Sequence, residues 1–170
     1  MSQNNNARYL IEFFSAGVPI DFNLCYRFVM SPTCGAIHTF TGSIRDTDLR
    51  RGHCEKQVAP IKGIYYEAYV SMLRKQLARI VDEVLNSESA DLNARLAIGI
   101  RLGFVPVGEA SIVICVSSTG RLFSQQCTMH ILKEIKSSAP IWKKIIFDDG
   151  EGQWDLEEKS EAHWLRANRA

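Results

Sequence analysis

Ile112-Val113-Ile114-Cys115-Val116 is apolar at every position, so a strand built from it needs cover on both faces. It reads as the middle of a strand over residues 110–117 that is central in its sheet. Directly downstream, Phe123, Cys127, Ile131 and Ile135, supported by Leu132, recur at helical spacing and predict a helix over about residues 122–138. Pro140 terminates that helix, and residues 141–147 read as the next strand.

Upstream, residues 95–102 form a second strand, joined to the central one by Gly103-Phe104-Val105-Pro106-Val107-Gly108-Glu109. Leu73, Leu77, Ile80, Val81 and Val84 recur at helical spacing, with Arg74, Lys75 and Arg79 on other faces. This gives an amphipathic helix over about residues 70–86, ended by Asn86-Ser87-Glu88-Ser89. Ile64-Tyr65-Tyr66-Glu67-Ala68-Tyr69 precedes it as a strand. Residues 46–60 are charged and aperiodic, so a mobile surface loop is expected there. Residues 35–45 carry the β-branched and aromatic content of a strand, and their Gly and Ser hint at a bulge or a close backbone approach. Asp21 can cap a short helix over residues 22–30, with Pro32 as its stop signal.

The order strand, helix, strand, strand, helix, strand points to an α+β fold, a mixed β-sheet with helices packed on one side, in a single domain. Within it, residues 1–33 form an N-terminal strand/helix segment, 34–154 the main body and 155–170 a polar C-terminal tail with no assignable role. The 170 residues are 46% hydrophobic, enough for a real core.

With 20 basic against 19 acidic residues the formal charge is +1, which excludes the broad positive field of a general nucleic-acid or membrane-surface binder. Any anion site has to be local. No apolar run approaches the roughly 20 residues that span a bilayer, and the polar start lacks a signal-peptide pattern, so the cytosol is the expected location. Cys25, Cys34, Cys54, Cys115 and Cys127 contain no Cys-x-x-Cys, and the four histidines have no ligand-like spacing. Neither disulfides nor a metal site is expected. The phosphate-loop, dinucleotide-binding and serine-elbow glycine patterns are all absent.

Ser118-Thr119-Gly120-Arg121 sits between the central strand and its helix. A helix N-terminus offers unpaired N–H groups, and an arginine there can grip a phosphate with two donors; an ordinary capping turn with an exposed arginine has the same pattern. The helix ends in Lys136, and the next strand carries Lys143 and Lys144. Strand alternation sends those two to opposite faces, so only one can share a pocket with Lys136. By pattern alone, Lys136 could instead offset the helix dipole, and the paired lysines could guard a sheet edge.

Taken together, the motifs resemble the large, catalytic subunit of molybdopterin synthase. They are Cys34-Gly35-Ala36, Phe40-Thr41-Gly42-Ser43-Ile44-Arg45, Tyr66-Glu67-Ala68-Tyr69, Arg101-Leu102-Gly103, Val105-Pro106-Val107-Gly108-Glu109-Ala110-Ser111, Val116-Ser117-Ser118, and Lys136 with Ala139-Pro140-Ile141-Trp142-Lys143-Lys144. The likeness covers about residues 34–154 and implies an alpha/beta-hammerhead-type large subunit.

It also implies an activity: sulfur passes from the C-terminal thiocarboxylate of a small ubiquitin-like partner to cyclic pyranopterin monophosphate, forming the dithiolene of molybdopterin. No further cofactor is implied. The assembly would be a heterotetramer, a dimer of large subunits with a small subunit on each. By the same resemblance Lys136 and Lys143 are the catalytic pair, and the substrate-binding set is Arg45, Gly120, Arg121, Lys136, Lys143 and Lys144. Lys143 would position substrate and move protons; Lys136 would hold the thiocarboxylate end and stabilise an oxyanion.

Two positions depart from the family pattern. Gly120 stands where histidine is usual, and Ile145 where glutamate follows the paired lysines. They leave open a second function, that of a homologue binding the small subunit or the pterin without efficient turnover.

Overall fold

Alternation along two neighbouring strands builds the core. In the computed structural model, which describes residues 7–51 and 56–155, Leu96, Ile98 and Ile100 of β5 (Arg95–Arg101) share one face with Ile114 and Val116 of β7 (Ala110–Ser118). Ala97, Val113 and Cys115 take the other face. β5 and β7 are antiparallel and central in a sheet of order β1-β5-β7-β2, where β1 (Tyr9–Phe14) runs parallel to β5 and β2 (Ala36–Ser43) antiparallel to β7. The apolar Ile112–Val116 run thus lies where both faces are covered.

Two helices cover the first face. α2 (Val70–Leu85) buries Leu73, Leu77, Ile80, Val81 and Leu85, and α3 (Arg121–Ser138) buries Cys127, Ile131 and Ile135. Each such side chain removed from water contributes about 1.5–3 kcal/mol. The short α1 (Phe22–Val29), capped by Asp21 Oδ1 on the Leu24 amide at 2.9 Å, places Cys25 and Val29 against the opposite face. The α+β class stands, with the long helices on one side as expected and the short one on the other. The N-terminal segment 1–33 supplies β1 and α1.

A second sheet of order β3-β4-β8-β9 joins β3 (Thr47–Arg51), β4 (Lys56–Ala68), β8 (Ile141–Phe147) and β9 (Gly152–Trp154), and β6 (Gly103–Pro106) also pairs with β4. Its inner face closes a separate cluster of Ile44, Ile61, Ile64, Val105, Ile145 and Phe147.

The expected loop at residues 46–60 is mostly a paired ribbon, with Thr47 opposite Pro60 and Leu49 opposite Val58. Periodicity missed it because its large apolar residues are on the uncovered face: Leu49 and Val58, directly opposite each other, are both exposed, while Ala59 and Arg50 take the face packed on the Phe147 cluster. The Arg50 guanidinium fastens it, lying 4.2 Å from the Phe147 ring centre and pairing with Asp149. Cys54 and the tail beyond Asp155, with Trp164, lie outside the described residues. Cys25, Cys34, Cys115 and Cys127 are free thiols, and burial pushes the Cys25 and Cys127 pKa up to about 12. Among the described residues no helix is long and apolar enough to cross a membrane.

Candidate active site

Where the last turn of α3 meets the ends of β2 and β7 and the inner face of the second sheet, the molecule forms a half-open cavity of about 220 Å³. Lys136 and Lys143 both line it. The local sequence dictates this. The Ala139 amide closes on Ile135 O at 3.0 Å, Pro140 prevents another turn, and β8 starts at Ile141 heading back across β4. Alternation then turns Ile141 and Lys143 to the cavity side, and Lys143 stands directly opposite Tyr66 in the ladder.

The remaining walls are chiefly apolar, from Phe40, Ile100, Ile112, Leu132 and Ile135, with Ser43, Ser111 and Tyr66 as polar neighbours. Lys143 is half-buried beside these apolar walls, where a cation attracts an anion more strongly than in open water, and Lys136 stands exposed at the cavity's edge. The carbonyl end of α3 favours the Lys136 cation.

Gly42 at the cavity lip has little room beside it: a Cβ there would sit 2.8 Å from Ile112 Cγ2. The β2–β7 register slips between Gly42 and Ser43, so a bulge stands at the lip, as the glycine and serine content hinted. Arg45 follows two residues after Ser43, exposed and 3.4 Å from Asp48. It is beside the cavity but not part of its lining.

The structure does not bring Lys144 to the cavity. Its ammonium lies 5.7 Å from the Trp154 ring centre on the outer face of the sheet. Ile145 shares the inner face with Lys143 but is buried against the Ile44–Phe147 cluster, so a carboxylate at that position would enter core packing.

Gly120 and Arg121 line a different depression, with Ser89, Asp91 and Thr119, at the opposite end of α3. At a helical rise of about 1.5 Å per residue, Arg121 and Lys136 stand about 22 Å apart along the axis. Asp91 organises the turn by accepting from the Thr119 amide at 2.6 Å and from the Thr119 hydroxyl. Partial burial works to raise the Asp91 pKa, but the Thr119 hydroxyl and amide, the Asn93 amide and the Arg8 charge outweigh it and hold the carboxyl below its ordinary value. Gly120 has extended backbone (φ −125°, ψ 144°), and nothing lies within 4 Å of where a Cβ would be.

Residues 16–138 match the family model described as MoaE protein. The chain belongs to the MoaE protein family. The matched span includes Arg45, Gly120, Arg121 and Lys136, and ends before Lys143.

Among relatives of this family, the chain is 40% identical over 117 residues to a molybdopterin synthase catalytic subunit of Oryza sativa subsp. indica, covering 69% of this chain and 55% of that protein. It thus spans about half the length of that relative. It is 35% identical over 136 residues to a molybdopterin synthase catalytic subunit of Dictyostelium discoideum, covering 79% of this chain and 80% of the other. The crystal structure of molybdopterin synthase from Staphylococcus aureus superposes with a TM-score of 0.71 at 27% identity, covering 85% of this chain and 95% of that one.

Sequence reasoning passed over Phe40, Ser43, Tyr66 and Ser111 as wall residues. The alternation of each strand was visible, but which strands pair, and hence that Tyr66 faces Lys143, was not. Among the described residues no cluster of three or more His, Cys, Asp or Glu could hold a metal ion.

Proposed function

We propose that this chain is the catalytic subunit of a molybdopterin synthase, an enzyme that transfers sulfur from the thiocarboxylated C-terminus of a small ubiquitin-like subunit to cyclic pyranopterin monophosphate. The observation that carries this is the pair Lys136 and Lys143 in one largely apolar cavity. A thiocarboxylate tail and a cyclic phosphate ester are both anions, and a recess with two cations and few competing donors suits them.

Lys136 holds the thiocarboxylate end and stabilises the oxyanion that forms when its carbonyl is attacked. Lys143 orients the pterin and moves the proton. Sulfur comes from the partner, so no resident cofactor enters, and the cytosol is the compartment for such a reaction.

A dimer of large subunits, and with two small subunits a heterotetramer, has two supports. Arg121 lies about 22 Å from Lys136 along α3, so an Arg121 that grips the substrate of this cavity would come from the Gly120–Arg121 turn of a second copy. The outer face of the second sheet also carries Tyr65, Trp142 and Trp154 at 38%, 43% and 37% exposure, an apolar area suited to burial against another copy.

The second reading, a protein that binds without efficient turnover, is favoured by Gly120, which brings no imidazole to its turn. Mixing the purified chain with thiocarboxylated small subunit and the cyclic precursor separates the two. Dithiolene product supports the enzyme; complex formation without product supports the binder.

A further inference from the structure

Arg101 is the one charged side chain that is buried among the described residues, at 3% exposure. It ends β5 on the face away from α2 and α3, outside the cavity lining. A buried guanidinium is costly unless paired, and Arg101 pairs through Nη1 with Glu109, whose side chain is 44% exposed. Its Nε has no hydrogen-bond partner in the structure. Such a pair is a weak source of stability, because apolar residues of similar size commonly hold a fold as well. What it supplies is one directed geometry.

The geometry it fixes is that of the cavity lip. Glu109 closes the tight turn that starts at Pro106, its amide donating to Pro106 O at 3.2 Å, with Gly108 at φ +82°. From this turn both backbone groups of Ile44 are held: the Ile44 amide donates to Glu109 O at 3.0 Å, and the Gly108 amide donates to Ile44 O at 2.8 Å. Ile44 is the single residue between Ser43, which lines the cavity at the bulge, and Arg45.

We infer that Arg101 is a positioning residue, acting through Glu109 and Ile44 to set where Ser43 and Arg45 stand relative to the Lys136–Lys143 cavity. The kinetic arm of its test rests on the proposed sulfur transfer; the exchange arm does not.

The experiment uses the full chain with its small subunit and compares wild type, Arg101→Met, Glu109→Gln, Arg45→Ala and the double variant Glu109→Gln with Arg45→Ala. Arg101→Met removes the buried charge itself, and Glu109→Gln removes the counter-charge but keeps an oxygen that can accept from Arg101 Nη1, so one variant stays readable where the other fails to fold. In Glu109→Gln the Ile44 amide should exchange with deuterium about tenfold faster while core amides of β5 and β7 keep wild-type protection. KM for cyclic pyranopterin monophosphate should rise about fivefold to twentyfold, with kcat within about twofold, because binding rather than the chemical step is disturbed. Adding Arg45→Ala should raise KM little further, since both changes act on one contact.

Unchanged Ile44 exchange overturns the inference. So do an unchanged KM in an active enzyme, and KM effects of Glu109→Gln and Arg45→Ala that simply multiply. If wild type itself makes no product, the proposed function fails, and the Ile44 exchange alone still decides whether the pair sets the lip.

Discussion

Lys136 at the end of α3 and Lys143 in β8 line the same cavity, although a helix terminus, a proline and a change of sheet separate them in the chain. Replacing either with alanine removes a cation from the candidate site without touching the buried clusters. Each variant should keep its fold and melting temperature and lose turnover by about 10²–10³-fold. Near-normal product formation by either would take that lysine out of the mechanism.

Gly120 accepts a side chain without strain, because its backbone is extended and the space beside it is open. Gly120→His should therefore melt like wild type. If imidazole is what the site lacks, turnover should rise by about 10²-fold near neutral pH. An unchanged rate with unchanged folding would show that proton transfer proceeds without it.

Asp91 ties the turn before α3, and its pKa lies below the ordinary 3.8. A lowered carboxylate pKa adds stability that is present above the unfolded value and lost as pH falls through the folded one. Asp91→Asn should be less stable than wild type at neutral pH, with the gap closing below about pH 4. Urea melts at pH 7 and pH 3 check this; a gap that stays constant would refute the charge-based account.

Trp142 projects from the outer face of the second sheet. Trp142→Glu places a charge on the surface assigned to self-association, and should shift the purified chain from dimer to monomer in analytical ultracentrifugation. A dimer as tight as wild type would move the interface to another face.

Much of this architecture was readable beforehand. The stripe Phe123, Cys127, Ile131 and Ile135 and the doubly covered run 112–116 set α3 and β7 to within a residue or so, since burial imposes period on a chain. The β3–β4 ribbon was not readable, because its large apolar residues, Leu49 and Val58, face solvent and an arginine, Arg50, takes the side packed on Phe147. The site was half readable. The order of motifs carried the lysines, whereas the outward aim of Lys144, the core role of Ile145 and the facing of Tyr66 and Lys143 depend on strand pairing, which no local pattern encodes.

The length of α3 has one more consequence. In a dimer whose cavities borrow the other copy's Arg121, a variant lacking Lys136 and a variant lacking Arg121 are each inactive in both cavities. Co-folded, they form mixed pairs in which one cavity inherits both lesions and the other neither. Two dead preparations would then make a live one, with up to half the sites of a mixed pair restored. Complementation of this kind would turn the helix into a ruler for the assembly.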